Sequence, residues 1–206
     1  MAVEVLLQQF ARAPEPGRVK TRMQPHLSEA QACDLHRELV SWCCARLLEA
    51  DMGPVELWVA GDTADALFQR CIEQGVTEVY AQRGADLGDR MLQALRSGLQ
   101  RADKVILVGS DCPAINAAYL AQAAAALDQS ELVLGPAEDG GFVLIGATAT
   151  DARVFDGVQW GSAEVFATVA GNLERLGIPL STLPTLPDID RPEDLPLWEA
   201  VRSLQI

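Results

Sequence analysis

The stretch Lys104-Val105-Ile106-Leu107-Val108-Gly109-Ser110-Asp111-Cys112-Pro113 decides the fold. Its four consecutive aliphatic residues read as a strand buried on both faces, and Gly-Ser-Asp follows at once as a polar turn at the strand's carboxyl end. Outward from it, further β-rich runs fall at Val3–Phe10, Val55–Ala60, Thr77–Ala81, Glu131–Gly135, Gly141–Ile145 and near Leu180, with the central one at Lys104–Gly109. Helical periodicity occupies the intervals: Ser28–Ala50, Thr63–Gln74, Leu87–Gln100, Ala114–Leu127, Ala163–Leu176 and Pro192–Leu204. Ser28 and Gln31 have capping-box spacing, and Leu35, Leu39, Cys43 and Leu47 repeat along one helix face. Pro113 and Pro192 are expected in first helical turns, where proline is tolerated.

Alternating β and α segments predict an α/β fold: a mostly parallel sheet with helices on both faces, Rossmann-like and three-layered. The exception is Gly135–Gly141, too short for a crossover helix, which predicts a tight, partly antiparallel reversal. No repeat or linker interrupts the chain, so residues 1–206 are expected to form one domain.

The composition narrows the class. Of 206 residues, 49% are hydrophobic and 22% charged, enough to bury a core and too apolar for disorder. The 16 Lys+Arg against 29 Asp+Glu give a net charge of −13, which argues against a nucleic-acid backbone as partner. A small nucleotide stays possible, because screening over about 8 Å makes the local field decisive. No apolar run approaches the roughly 18 residues of a membrane span. Val3–Phe10 lacks a basic flank and contains Gln8 and Gln9, so it does not read as a signal peptide. Five cysteines without regular spacing predict free thiols in a reducing, cytoplasmic setting. Cys33, His36, Cys43 and Cys44 share one helix but lack the spacing of a zinc site.

Ligands of such sheets bind beyond the carboxyl ends of the strands, and the unusual residues collect there. The first loop, Ala11 to Arg22, carries Arg12, Arg18, Lys20 and Arg22 against one anion, Glu15; Gly17 permits close backbone approach and Thr21 lies between two cations. It can hold a diphosphate or triphosphate, or it is a solvated basic loop. No P-loop or dinucleotide glycine pattern is present. In the second loop Asp86 is a helix N-cap candidate, and Leu87-Gly88 gives a bare backbone near a flat ring. In the third, Asp111 is placed either to ligate Mg²⁺ or to cap the next helix. The fourth, Glu138-Asp139-Gly140-Gly141, presents two acids beside two glycines. Later, Trp160 reads as a site or a core aromatic, and Asp188 and Asp190 share a face if extended.

Together the motifs F-A-R-x-P-x-P-G-R-V-K-T-R, D-L-G-D-R-M, G-S-D-C-P, G-P-A-E-D-G-G-F and D-I-D-R-P-E-D-L closely resemble a bacterial family of GT-A-type nucleotide-diphospho-sugar transferases, often labelled radical-SAM/selenodomain-associated or arsenosugar-biosynthesis glycosyltransferases. The resemblance runs from Val5 to about Leu195 and extends, more distantly, to molybdenum-cofactor and phospholactate guanylyltransferases. It implies a GT-A fold and a nucleotide pocket in which Arg12, Gly17, Arg18, Lys20, Thr21, Arg22, Leu87, Gly88 and Ser110 bind the nucleotide and its phosphates. It implies Asp111 and Asp190 as ligands of Mg²⁺ or Mn²⁺, and Glu138, Asp139, Gly140, Gly141 and Trp160 on the acceptor side. Asp111, Asp139 and Lys20 are then the catalytic candidates. The single Asp of Gly-Ser-Asp departs from a full D-x-D.

Two reactions suit such a pocket. The first is glycosyl transfer from a nucleotide-sugar to a small acceptor. The alternative is nucleotidylyl transfer, in which a nucleoside triphosphate meets a phospho-acceptor and pyrophosphate leaves. A non-catalytic nucleotide-binding module is the third reading.

Overall fold

The computed structural model describes residues 3–203. Leu204, expected at the end of the last helix, lies outside them.

Seven strands form one sheet: β1 (Val3–Arg12), β2 (Val55–Ala60), β3 (Glu78–Ala81), β4 (Ala102–Val108), β5 (Leu132–Pro136), β6 (Phe142–Ala147) and β7 (Leu180–Thr182), in the order β3-β2-β1-β4-β6-β5-β7. Every pairing is parallel except those of β6, which runs antiparallel to both β4 and β5. The expected reversal is there: five residues join β5 to β6, with a register shift at Gly135/Pro136. β4, in the middle of the sheet, is buried from Val105 to Val108, as its aliphatic run predicts.

Six α-helices cover the sheet: α1 (Glu29–Glu49), α2 (Ala66–Gln74), α3 (Leu87–Leu99), α4 (Ala117–Ala126), α5 (Val165–Leu176) and α6 (Leu195–Ser203). One apolar cluster packs α1, α2 and α4 against one sheet face, and a second packs α3 and α5 against the other. The Ser28–Gln31 capping box forms in full.

Four helices, α2, α4, α5 and α6, start two or three residues later than expected. α4 begins at Ala117, capped by Asn116, whose side chain accepts from the N–H of Tyr119 at 3.0 Å. Pro113 therefore precedes the helix by a turn, and Asp111 is not its cap. α2 starts at Ala66 because Asp65 takes the cap position. Before α6, Pro192–Asp194 form a 3₁₀ turn.

A third apolar cluster decides where the functional loops go. Met23, from the basic loop, and Ile189, from the late Asp-Ile-Asp stretch, are both fully buried beside Leu35 and Leu39 of α1 and Trp198 of α6. Burying one such side chain stabilises by roughly 1.5–3 kcal/mol. The Trp42–Trp198 edge-to-face pair, at 5.3 Å, closes this cluster. Segments 168 residues apart in sequence (Arg22 and Asp190) are thereby clamped side by side.

Candidate active site

Beyond the carboxyl ends of β1, β3 and β4 the loops enclose a pocket of about 600 Å³. Its lining includes Arg12, Arg18, Lys20, Thr21, Arg22, Leu87, Ser110, Asp111, Trp160 and Asp190 of the sequence-predicted set. Gly17, Gly88, Glu138 and Gly140 are absent from it. Asp139 and Gly141 line a smaller adjoining cavity instead, which shares Trp160 with the first.

Lys20 is the hinge of the arrangement. Its backbone sits in the left-handed region at φ 50°, an uncommon conformation for a residue with a side chain, and one that clusters at functional sites. The side chain is 97% buried; its Nζ lies 2.8 Å from Asp111 Oδ1 and donates to the carbonyl of Ile189. The N–H of Ile189 in turn donates to the carbonyl of Asp111 at 2.8 Å. Arg22 reaches across to Asp190, Nη1 to Oδ2 2.5 Å, and this bond is what raises the guanidinium pKa. Both cations expected on phosphates are thus carboxylate-paired in the ligand-free chain. Arg18 pairs with Glu15 at 2.9 Å and is largely exposed, while Arg12 faces the pocket.

The carboxylates converge. Burial, and then the charges of Asp139, Asp190 and Asp111, push the Asp188 carboxyl up to about 6, with Lys20 opposing. So much negative charge at one place is what a divalent cation relieves, and hard carboxylate oxygens suit Mg²⁺ or Mn²⁺. Among the described residues no group of three His, Cys, Asp or Glu side chains could by itself hold a metal. Asp111 and Asp190, the expected metal ligands, both line the pocket, and Mg²⁺ commonly takes only one or two carboxylates, with phosphate oxygens and water completing its shell.

Ser110 has a structural task. It is buried; its hydroxyl donates to the carbonyl of Phe10 at 2.7 Å and accepts from Gln9 Nε2 at 2.9 Å. With its hydroxyl proton so engaged, the side chain fixes β1 against the Asp111 turn, while the residue still lines the pocket. Gly88 is a spacer: a Cβ there would come within 2.8 Å of Trp160 Cζ2 and 3.0 Å of Phe155 Cβ. Trp160 leans on Phe155 and Phe142, at centroid distances of 5.8 and 6.4 Å, and walls both cavities. In the fourth loop Asp139 Oδ1 accepts from the N–H of Gly141 at 2.8 Å. A Cβ on Gly140, at φ 89°, would meet the Ala163 carbonyl at 2.1 Å, so Gly140 closes the loop onto the start of α5. Glu138 is exposed.

Three pocket residues escaped the sequence reading. His36 Nε2 bonds the carbonyl of Arg12 at 3.0 Å, and burial lowers its pKa. Gln82 donates to the carbonyls of Ala11 and Trp58, at 3.2 and 2.8 Å, and Arg90 sits one turn into α3. The contacts of His36 and Gln82 are long-range and leave no local pattern, whereas Arg90 bonds locally to the Gly84 carbonyl.

All five cysteines are buried and free, as expected. No helix among the described residues is long and apolar enough to cross a membrane.

Over residues 43–162 the sequence matches the family described as "Uncharacterized protein conserved in bacteria (DUF2064)". The chain belongs to this family. No curated protein matches it. Among solved structures it is similar to a "putative nucleotide-diphospho-sugar transferase" from Desulfovibrio desulfuricans G20, with 30% identity and TM-score 0.82, over 92% of this chain and 83% of that one. At 12% identity it shares the fold of CMP:2-keto-3-deoxy-manno-octonic acid synthetase complexed with CTP, with TM-score 0.63 over 98% and 100% of the two chains. At 16% identity it shares that of Rv0371c from Mycobacterium tuberculosis H37Rv in complex with manganese, with TM-score 0.53 over 98% of each chain. This DUF2064 protein is an enzyme, a transferase with the fold of nucleotide-dependent transferases, as its motifs imply.

Proposed function

We propose that this protein moves a glycosyl group from a nucleotide-sugar to a small acceptor, with Asp111 and Asp190 as the residues that would hold a divalent metal. The observation that carries the reading is the pairing of Lys20 with Asp111 and of Arg22 with Asp190 at the mouth of a nucleotide-sized pocket. Pockets for small ligands occupy about 300–1,000 Å³.

The chemistry follows from the residues. Arg12, Lys20, Thr21 and Arg22 receive the diphosphate, while Leu87 takes the nucleoside side. Lys20 and Arg22, paired with Asp111 and Asp190, would turn to the donor's phosphates, leaving those carboxylates to hold a divalent metal. The metal, once bound, supplies positive charge to the phosphate oxygens. In the transfer the acceptor's hydroxyl oxygen bonds to the anomeric carbon as the bond from that carbon to the diphosphate breaks. Asp139 takes the hydroxyl proton, and Lys20 and Arg22 stabilise the extra negative charge that develops on the departing nucleoside diphosphate in a partly dry site, where fixed charges act strongly.

Nucleotidylyl transfer is the second reading, favoured by one observation: four loop cations surround the pocket, more than one diphosphate needs. Phosphorus NMR separates the readings. Incubation with a nucleotide-sugar panel, Mn²⁺ and mixed alcohols is expected to release a nucleoside diphosphate. Pyrophosphate release from a nucleoside triphosphate and a sugar phosphate, with no reaction of the nucleotide-sugars, overturns the first reading in favour of the second.

A further inference from the structure

Beside the nucleotide-sized pocket lies a cavity of about 190 Å³. The side chains of Phe10, Met91, Phe142, Ile145, Trp160 and Val165 line it, and Asp139 is the only charged residue on its wall. The space equals about six waters at 30 Å³ each. Such waters need two to four polar partners apiece, and the cavity offers few beyond Asp139 and Ser162. A site for a bare sugar or a free phosphate carries convergent donors; this one carries aromatic and aliphatic walls. It is no isolated void either, because Phe10, Leu87, Trp160 and Gly161 line both cavities.

We infer that the acceptor is amphipathic, with an aromatic or branched apolar group in this slot and its nucleophilic hydroxyl at the Asp139 end. The inference rests on the glycosyl-transfer reading and names its acceptor class. Trp160 separates the two occupants: the nucleotide-sugar lies on one side of the indole and the acceptor's apolar group on the other. Specificity follows from what the slot lacks. A polyhydroxylated acceptor leaves its hydroxyls unpaired against Phe142, Ile145 and Val165, and sites reject groups whose polar atoms they strand.

Methyl NMR of the full chain, followed at Met91, tests this with benzyl alcohol as probe and glycerol as polar control. In parallel, thermal shifts with UDP-glucose and GDP-mannose plus Mn²⁺ report the nucleotide pocket. The expected result is a saturable Met91 shift with benzyl alcohol and none with glycerol at equal concentration. Val165→Phe, which fills the slot without lining the larger pocket, is expected to weaken benzyl alcohol at least about tenfold while the nucleotide-sugar shift persists. Should Val165→Phe fail to fold, Phe142→Ala serves instead, with 2-naphthalenemethanol binding about tenfold tighter than to the unaltered chain. A nucleotide-sugar shift with no Met91 response, or equal responses to benzyl alcohol and glycerol, overturns the inference alone. A Met91 response with no nucleotide-sugar shift overturns the glycosyl-transfer reading, and the slot's acceptor role falls with it.

Discussion

Lys20 Nζ sits 2.8 Å from Asp111 Oδ1, buried beneath a loop whose other cations face the pocket. The same ammonium holds the Ile189 carbonyl, so one side chain ties the basic loop, the β4 turn and the Asp188–Asp190 segment together. Lys20→Met removes the tie and leaves Asp111 Oδ1 and the Ile189 carbonyl without their donor. A buried acceptor stranded in this way costs about 1–3 kcal/mol. Urea denaturation is expected to show that loss, with transferase turnover falling further than stability does.

Asp111 is not a helix cap, since Asn116 holds that place, so Asp111→Asn is expected to keep the fold. Its melting temperature without ligand should fall below the parent's, because the buried Lys20 ammonium loses its carboxylate partner, so metal dependence is read within the variant. Titration with Mn²⁺ and a nucleotide-sugar should lose its metal-dependent stabilisation. Retained metal dependence would place the ion elsewhere.

Gly88→Ala sets a methyl group against Trp160 and Phe155, which must then shift. Overpacking of this kind costs typically 1–3 kcal/mol. Thermal unfolding measures the cost, and a larger loss in nucleotide-sugar affinity than Leu99→Ala would cause marks the displaced indole as its route, since Leu99 lies at the far end of α3.

Asp188 gives a pH dependence of definite sign. Its carboxyl titrates near 6 in the folded chain against about 3.9 unfolded, so the native state binds the proton more tightly. Between about pH 4 and 6 the unfolded state holds fewer protons, and stability contributed by this group falls as pH rises through that window. Asp188→Asn removes the penalty. In EDTA its melting temperature is expected to exceed the parent's at pH 7.5 and to match it near pH 4; an equal difference at both pH values would assign the effect to packing.

How much of this was legible in the sequence depends on the range of the interaction. The strands follow from runs such as Val105–Val108, where local apolar content and a central, doubly covered position agree. The Ser28–Gln31 box is local and formed as read. The start of α4 was misplaced because Pro113 signals a permitted first turn, while the Asn116 side chain supplies the cap actually used. The structural task of Ser110 was hidden because its partners, Gln9 and Phe10, lie about a hundred residues away. The ion pairs of Lys20 and Arg22 were hidden for the same reason: the apolar contacts of Met23 and Ile189 bring their partners in, and neither residue carries a charge that could suggest it.

The central claim is tested most directly by thermal shift with nucleotide-sugars and nucleoside triphosphates, each with and without Mn²⁺. A ligand at 100 times its Kd adds about 2.7 kcal/mol, or roughly 5–11 °C for a chain of this size. The account predicts a shift of that order with a nucleotide-sugar plus Mn²⁺, diminished without metal and lost in Asp111→Asn. Stabilisation by a triphosphate alone, or by no nucleotide under any condition, would contradict it.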